Sequence, residues 1–316
     1  MSDKTQLIQY LKSNGLYTKH SLGQNFLVDG EVLDKIVETA EIELEDLVIE
    51  VGPGLGVLTQ ELVGRAGKVI AVEMDDKLAE LMSKSEFLMS NEISNDKSSK
   101  LEIDKFGFRH FVRNLTFGFR NSVLEVINAD ILKLNISELT KDHSSYKVVA
   151  NIPYYITSKI LQLFLTLENK PESITLLVQK EVAERICAKP GQMSTLSISV
   201  QTYAEPEIVG IVKASSFFPA PKVDSAILKI RITSHESQIM GVDEKDFFRL
   251  VHFGFASKRK TLVNNLAAGL HLDKEKSLAI IKSAGLNENI RAQELSIEEW
   301  AELTKRVALN ESTNQN

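Results

Sequence analysis

Through the first 180 residues, short apolar β-branched runs alternate with amphipathic stretches. The runs are LVIEVG (47–52), KVIAVE (68–73), VLEVIN (123–128), YKVVAN (146–151) and ITLLVQ (174–179). Near-continuous runs of this kind suit strands of a parallel sheet covered on both faces. Helix-period segments such as VLTQELVGRA and DDKLAELMSK separate several of them. The alternation predicts a doubly wound α/β sheet. After residue 190 the texture changes: TLSISVQTYAE, EIVGIVKA and SAILKIRI alternate like strands, predicting an antiparallel extension of the sheet. From about residue 243 the pattern is helical to the end. This predicts one domain over residues 1–235 and a small all-helical one over 243–316, with the junction between them.

Composition places the chain among ordinary globular proteins. Of 316 residues, 43% are hydrophobic and 25% charged, which excludes fibrous, low-complexity and wholly disordered classes. No apolar run approaches the roughly 20 residues of a membrane span. The opening MSDKTQLIQYLKSNG lacks the basic-then-apolar order of a signal peptide. A single cysteine, Cys187, leaves no intramolecular disulfide, and with six scattered histidines it gives no zinc-ligand spacing. A cytoplasmic protein with no metal, no membrane partner and no obligate dimer is expected.

Charge changes the picture locally. Seven acids and one lysine in residues 31–46 account by themselves for a net charge equal to the −6 of the whole chain. Two stretches carry cations and no acid: Lys105, Arg109, Arg113 and Arg120 within 105–122, and Arg249, Lys258, Arg259 and Lys260 within 249–260. They are either solvated faces or parts of a basic surface for a polyanion. An insertion at about 84–122 interrupts the alternation and is longer than loops usual in a compact α/β domain. Its second half places Phe106, Phe108, Phe111, Phe117 and Phe119 between the basic residues. A small hairpin or helix packing those rings is the preferred reading, and base stacking the other.

The strongest local motif is VIEVGPGLG (48–56), a strand running into Gly52, Gly54 and Gly56 before a helix. Glycines there permit a sharp turn and close approach of a ligand. Glu73 closes the next strand, where an acid accepts hydrogen bonds from the hydroxyls of a ribose. The spacing is G-x-G-x-G, with Val57 where a dinucleotide fingerprint needs its third glycine, and no P-loop lysine follows. Glu50 inside the motif would repel a pyrophosphate but suits a ligand bearing an ammonium and a sulfonium. S-adenosyl-L-methionine is such a ligand, with S-adenosyl-L-homocysteine as its product. Asp130 in NADIL either accepts from the cofactor's adenine amine or caps a helix.

The fourth strand runs into Asn151-Ile152-Pro153-Tyr154. An amine on a base is a poor nucleophile because its lone pair is delocalised into the ring. Acceptors holding its hydrogens, the Asn151 oxygen and the Ile152 carbonyl, would pull the nitrogen toward tetrahedral geometry. Pro153 stiffens the loop and Tyr154 offers a face to a flipped base. No strong general base is required, because the proton becomes acidic once the nitrogen is methylated.

The chain resembles the small-subunit ribosomal RNA adenine dimethyltransferases, the kasugamycin-resistance family, over nearly its whole length. The resemblance lies in SLGQNFLVD (21–29), VIEVGPGLGVLT (48–59), VIAVEMD (69–75), NADIL (128–132), NIPYYITSKIL (151–161), VQKEVAERICAKPG (178–191), FFPAPKVDSAIL (217–228) and GFASKRKTLVNNL (254–266). It implies a Rossmann-like class I S-adenosylmethionine-dependent methyltransferase sheet with a small helical C-terminal domain. It also implies Asn25 and Leu27 as cofactor contacts beside Gly52, Glu73, Asp130 and Asn151. Phe218 is implied as the second aromatic around the adenine, with Phe217 competing, and Lys258, Arg259 and Lys260 as phosphate contacts. The implied activity is dimethylation of two adjacent adenines in a hairpin near the 3′ end of small-subunit ribosomal RNA, within a partly assembled subunit. Erythromycin-resistance methylases of the large subunit share the glycine-rich and N-I-P-Y motifs, and a non-catalytic assembly factor is the other alternative. The PGQMSTLSISVQ and KRKTLVNNL segments favour the small-subunit family, and the intact Glu73, Asn151, Pro153 and Tyr154 speak against lost chemistry.

Overall fold

The computed structural model describes residue 11 and residues 23–84, 123–233, 239 and 241–313. The phenylalanine-rich part of the insertion and most of the expected junction lie outside the described residues. The chain separates into two compact units, residues 1–180 with 208–230 and residues 181–207 with 231–316. The expected boundary near 235–243 thus gives way to a division in which 181–207 joins the C-terminal helices.

The first unit is the α/β layer predicted from the apolar runs. Its strands are β1 (Phe26–Leu27), β2 (Leu47–Val51), β3 (Lys68–Glu73), β4 (Val123–Asn128), β5 (Lys147–Asn151) and β6 (Ser173–Gln179). Later come β7 (Ala204–Val212), β8 (Phe217–Phe218) and β9 (Ser225–Ile232). The main sheet has the order β4-β3-β2-β5-β6-β9-β7. β2 pairs in parallel with both β3 and β5, β3 with β4, and β5 with β6. All five residues of β2 are buried, as a strand with helices on both faces requires. The helices α1 (Gly30–Ala40), α2 (Val57–Val63), α3 (Asp76–Lys84), α4 (Ile136–Thr140) and α5 (Thr157–Thr166) connect these strands. Strand order changes direction between β2 and β5, so their C-terminal ends part and leave a crevice, the usual ligand position in such sheets.

The acidic stretch 31–46 is partly neutralised from within. Lys147 Nζ lies 2.9 Å from Asp46 and donates to the Glu41 carbonyl at 2.6 Å. Lys229, 1% exposed, donates to the Thr39 carbonyl and reaches the Glu41 carboxylate at 3.3 Å. Two buried cations therefore tie the end of α1 to the sheet.

In the second unit, α6 (Lys180–Ile186) leads to α7 (Thr195–Gln201), where a strand was expected. The alternation of Leu196, Ile198 and Val200 mimics a strand period. The deciding feature is the capping box at its start: Ser197 N–H donates to Ser194 Oγ, and Ser194 N–H to Ser197 Oγ at 2.6 Å. The remaining helices are α8 (Glu244–Gly254), α9 (Leu262–Gly269), α10 (Lys274–Ser283) and α11 (Ile297–Thr313). Their core surrounds Trp300, with Phe247, Leu250, Leu266 and Ile281, and takes in Met193 and Ile198 from the 181–207 segment. That shared core explains why 181–207 belongs with the helices.

Candidate active site

The C-terminal ends of β2, β3 and β5 open onto a cavity of about 290 Å³, lined also by residues 23–27 and 129–132. Beyond β2 the backbone turns through Gly52, Gly54 and Gly56, with φ of 67°, 62° and 78°. Those left-handed values favour glycine, which meets the turn geometry without strain. The Gly54 N–H donates to Glu73 Oε2 at 3.0 Å, and the Asp75 N–H to Glu73 Oε1 at 2.8 Å. Glu73, 7% exposed, is thus held by a backbone donor on each oxygen and still lines the cavity. Burial raises its pKa, against the lowering effect of those two donors. Asp75 in turn accepts from Gln24 Nε2 at 3.2 Å, which ties the N-terminal segment to the end of β3.

Glu50 lines the same cavity and is 1% exposed. Burial pushes its carboxyl up to about 8; the Thr59 hydroxyl acts the other way, and the Glu73 charge adds a smaller rise. Neither Glu50 Oε2 nor Thr59 Oγ1 has a hydrogen-bond partner among the described residues. A buried carboxyl oxygen with no partner is costly unless a ligand completes it.

At the other end of the cavity, Asn151 Nδ2 donates to the Asn25 carbonyl at 3.3 Å, and Asn25 Nδ2 to the Gly23 carbonyl at 3.0 Å. With its nitrogen so engaged, the Asn151 oxygen is left without a protein partner among the described residues. Pro153, at φ −57°, leads into a 3₁₀ turn over Tyr154–Ile156. The Tyr154 hydroxyl pairs with Ser225 Oγ at 2.6 Å, and burial raises its pKa, so the phenol stays neutral. The ring is thereby fixed by both its own turn and β9.

Asp130 fits both of its expected descriptions. Its Oδ1 accepts from the Leu132 N–H at 3.1 Å as a cap, and the residue lines the cavity, with Oδ2 3.7 Å from Lys133 Nζ. Leu27 also lines the cavity. Antiparallel pairing of β1 with β8 sets Phe26 opposite Phe218 and Leu27 opposite Phe217. Phe217 is fully buried in the core, whereas Phe218 is half-buried, packed against Leu11 and Leu78 with Phe26. Phe218 stands outside the residues that line the cavity; Phe26 is the phenylalanine that faces it. In the second unit Lys258, Arg259 and Lys260 are all exposed, in the turn between α8 and α9. That turn is pinned by Asn265 Nδ2, which donates to the Gly254 and Ser257 carbonyls at 2.6 and 3.0 Å.

Sequence reasoning passed over several lining residues: Gly23, Gln24, Phe26, Leu55, Met74, Tyr155 and Lys159. Gln24 and Phe26 sit inside the SLGQNFLVD segment and Tyr155 directly follows N-I-P-Y, so adjacency was the available signal. The polar groups fit a cationic nucleoside ligand: a held carboxylate at Glu73, an acid with an unpartnered oxygen at Glu50, and a glycine-rich backbone turn between them.

The sequence profile of ribosomal RNA adenine dimethylases matches residues 15–93 and 85–309. The chain belongs to this family. A ribosomal RNA small subunit methyltransferase A from Dehalococcoides mccartyi is 42% identical over 307 residues, 96% of this chain and 94% of its own length. The protein of that name from Alkaliphilus metalliredigens is 38% identical over 91% of each chain. Among solved structures, the 23S rRNA methyltransferase ErmE matches with TM-score 0.64 and 26% identity, over 90% of this chain and all of its own. A dimethyladenosine transferase from Plasmodium falciparum matches in fold with TM-score 0.68 and 24% identity, over 91% of this chain and 98% of its own. This member of the ribosomal RNA adenine dimethylases thus has the α/β methyltransferase sheet followed by a helical C-terminal part. The small-subunit relatives are the more similar in sequence, so the large-subunit alternative is not favoured.

Proposed function

We propose that this adenine dimethylase transfers methyl groups from S-adenosylmethionine to the exocyclic amines of two adjacent adenines near the 3′ end of small-subunit ribosomal RNA. The substrate is the RNA of a partly assembled subunit, methylated in the cytoplasm. The observation that carries this reading is that the Glu73–Gly54 pair and the Asn151–Tyr154 turn open onto one cavity. An electron-rich amine held at one end then meets a cofactor held at the other.

S-adenosylmethionine, when bound, supplies a methyl group on a positively charged sulfur that departs neutral, so the transfer needs no metal. Glu73 accepts from the ribose hydroxyls with the lone pairs its two backbone donors leave over. Asp130 accepts from the cofactor's adenine amine, Asn25 and Leu27 close the site from the N-terminal segment, and Glu50 faces the cationic end. The Asn151 oxygen and the Ile152 carbonyl accept the two hydrogens of the target amine and aim its lone pair. Tyr154 stacks on the flipped base, and Phe218, outside the cavity lining, backs Phe26 across the β1–β8 pair. The proton passes to water after methylation. The sheet unit holds the cofactor, while Lys258, Arg259 and Lys260 of the helical unit bind RNA phosphates.

The test is methyl incorporation from labelled S-adenosylmethionine into unmodified small subunits, with large subunits and naked ribosomal RNA alongside. Dimethyladenosine in the digested small-subunit sample alone is the expected result. Transfer confined to large subunits would overturn the substrate assignment, and cofactor binding without any transfer would leave a binding factor.

A further inference from the structure

The rim of the cavity carries an aromatic ring and a cation that the reaction described above does not use. Tyr155 is 60% exposed, whereas Tyr154 and Ile156 in the same turn are half-buried. Its ring lies against the backbone of Gly23: a Cβ there would stand 3.5 Å from both Tyr155 Cδ1 and Cε1, and 3.4 Å from Pro153 Cβ. Gly23 has φ +61°, so the N-terminal segment reaches the ring through a residue that suits glycine. One side of the ring therefore lies over the Gly23 backbone, and the residue is otherwise largely open to water. Lys159 follows four residues later in the first turn of α5, is exposed, and lines the same cavity. It has no ion pair or hydrogen bond among the described residues.

Cofactor groups have their partners at the far end, on Glu73, Glu50 and the glycine turn. A base extruded into the cavity pulls its flanking backbone to the mouth and strips its neighbour of a stacking partner. An exposed ring beside an unpaired ammonium matches that neighbour in both its apolar face and its phosphate. We propose that Tyr155 and Lys159 form a subsite for the nucleotide adjoining the methylated adenine, the ring stacking on its base and the ammonium taking the connecting phosphate. This inference rests on the RNA methyltransferase reading and names how the site holds its substrate beside the reacting base.

The test compares Tyr155→Ala, Tyr155→Phe and Lys159→Gln in the full chain, saturated with S-adenosylhomocysteine, by Kd for unmodified small subunits. KM and kcat for methylation and the cofactor Kd are measured in parallel. Loss of one base–aromatic stack corresponds to about a tenfold or greater loss of affinity. Tyr155→Ala is expected to raise subunit Kd and KM by that factor, with kcat and cofactor Kd within about twofold. Tyr155→Phe, which keeps the ring, restores both values. Lys159→Gln is expected to reduce the slope of log affinity against log salt by about 0.7. Wild-type subunit affinity in Tyr155→Ala overturns the proposal, as does an equal loss of cofactor affinity. A wild-type protein that yields no dimethyladenosine breaks the proposed activity instead, and the subunit affinities of the variants still decide the subsite.

Discussion

The two ends of the cavity are built to different degrees. At the β3 end each oxygen of Glu73 has a backbone donor, and Gln24 braces Asp75 behind it. At the β5 end Asn151 makes one long hydrogen bond through its nitrogen, its oxygen is left open, and Tyr155 stands in water. A small ligand of fixed chemistry is met by groups already oriented, which lowers the cost of ordering on binding. On the proposed reading, the end that meets the RNA keeps its acceptors bare until the base arrives. If the proposed roles hold, preorganisation serves cofactor affinity at the first end, and open acceptors serve recognition of the amine at the second.

That contrast breaks first at Asn151. Asn151→Ala removes an acceptor for the target amine while leaving the Glu73 end intact. A loss of about 10²–10³-fold in single-turnover methylation is expected, the scale of losing one preorganised polar group. Cofactor affinity by calorimetry should change by no more than a few-fold. A variant that lost both equally would mean the two ends are not separate.

Glu73→Gln sharpens the same contrast from the other side. The amide keeps the volume but turns a donor toward the Gly54 or Asp75 N–H, each of which now donates to a carboxylate oxygen. Hydrogen bonds to charged groups contribute about 1.5–3 kcal/mol, so cofactor affinity should fall about 10- to 100-fold. The apparent rate at saturating cofactor should fall much less. If rate fell and affinity held, Glu73 would belong with the chemistry.

How much of this was legible follows from where each signal resides. The glycine turn, Glu73 and Asn151–Tyr154 are short motifs at strand ends, and a parallel sheet brings successive strand ends together. Their convergence on one cavity therefore follows from local sequence plus topology. The helix at 195–201 was misread because Leu196, Ile198 and Val200 alternate; the Ser194–Ser197 capping box was the overlooked signal. That 181–207 packs with the C-terminal helices had no local signature at all, since Met193 and Ile198 find their core partners far along the chain. Which phenylalanine faces the cavity was equally hidden: β1–β8 register sets Phe26 against Phe218, and register is a property of two strands. That the Tyr155 ring lies over Gly23 was hidden for the same reason, since the two are far apart in sequence.

Glu50 gives the subtlest test, because its strain belongs to the protein without its ligand. Its carboxyl, buried and with Oε2 unpartnered, is raised to about 8, from an ordinary value near 4.5 that the unfolded chain regains. Between those values the folded protein holds a proton that the unfolded chain has released. Raising the pH across that window therefore costs stability, and above about 8 the loss levels off because both states are ionised. Glu50→Gln keeps the shape and cannot titrate. Near pH 5 the two proteins should melt within a degree or two of each other, both neutral at this position. From there to pH 8 the wild type should lose Tm relative to Glu50→Gln, by a few degrees, in scanning calorimetry without cofactor. Parallel Tm profiles would show that Glu50 is already paired in the empty site, and the cavity would then lack the unsatisfied acid that suits it to a cation.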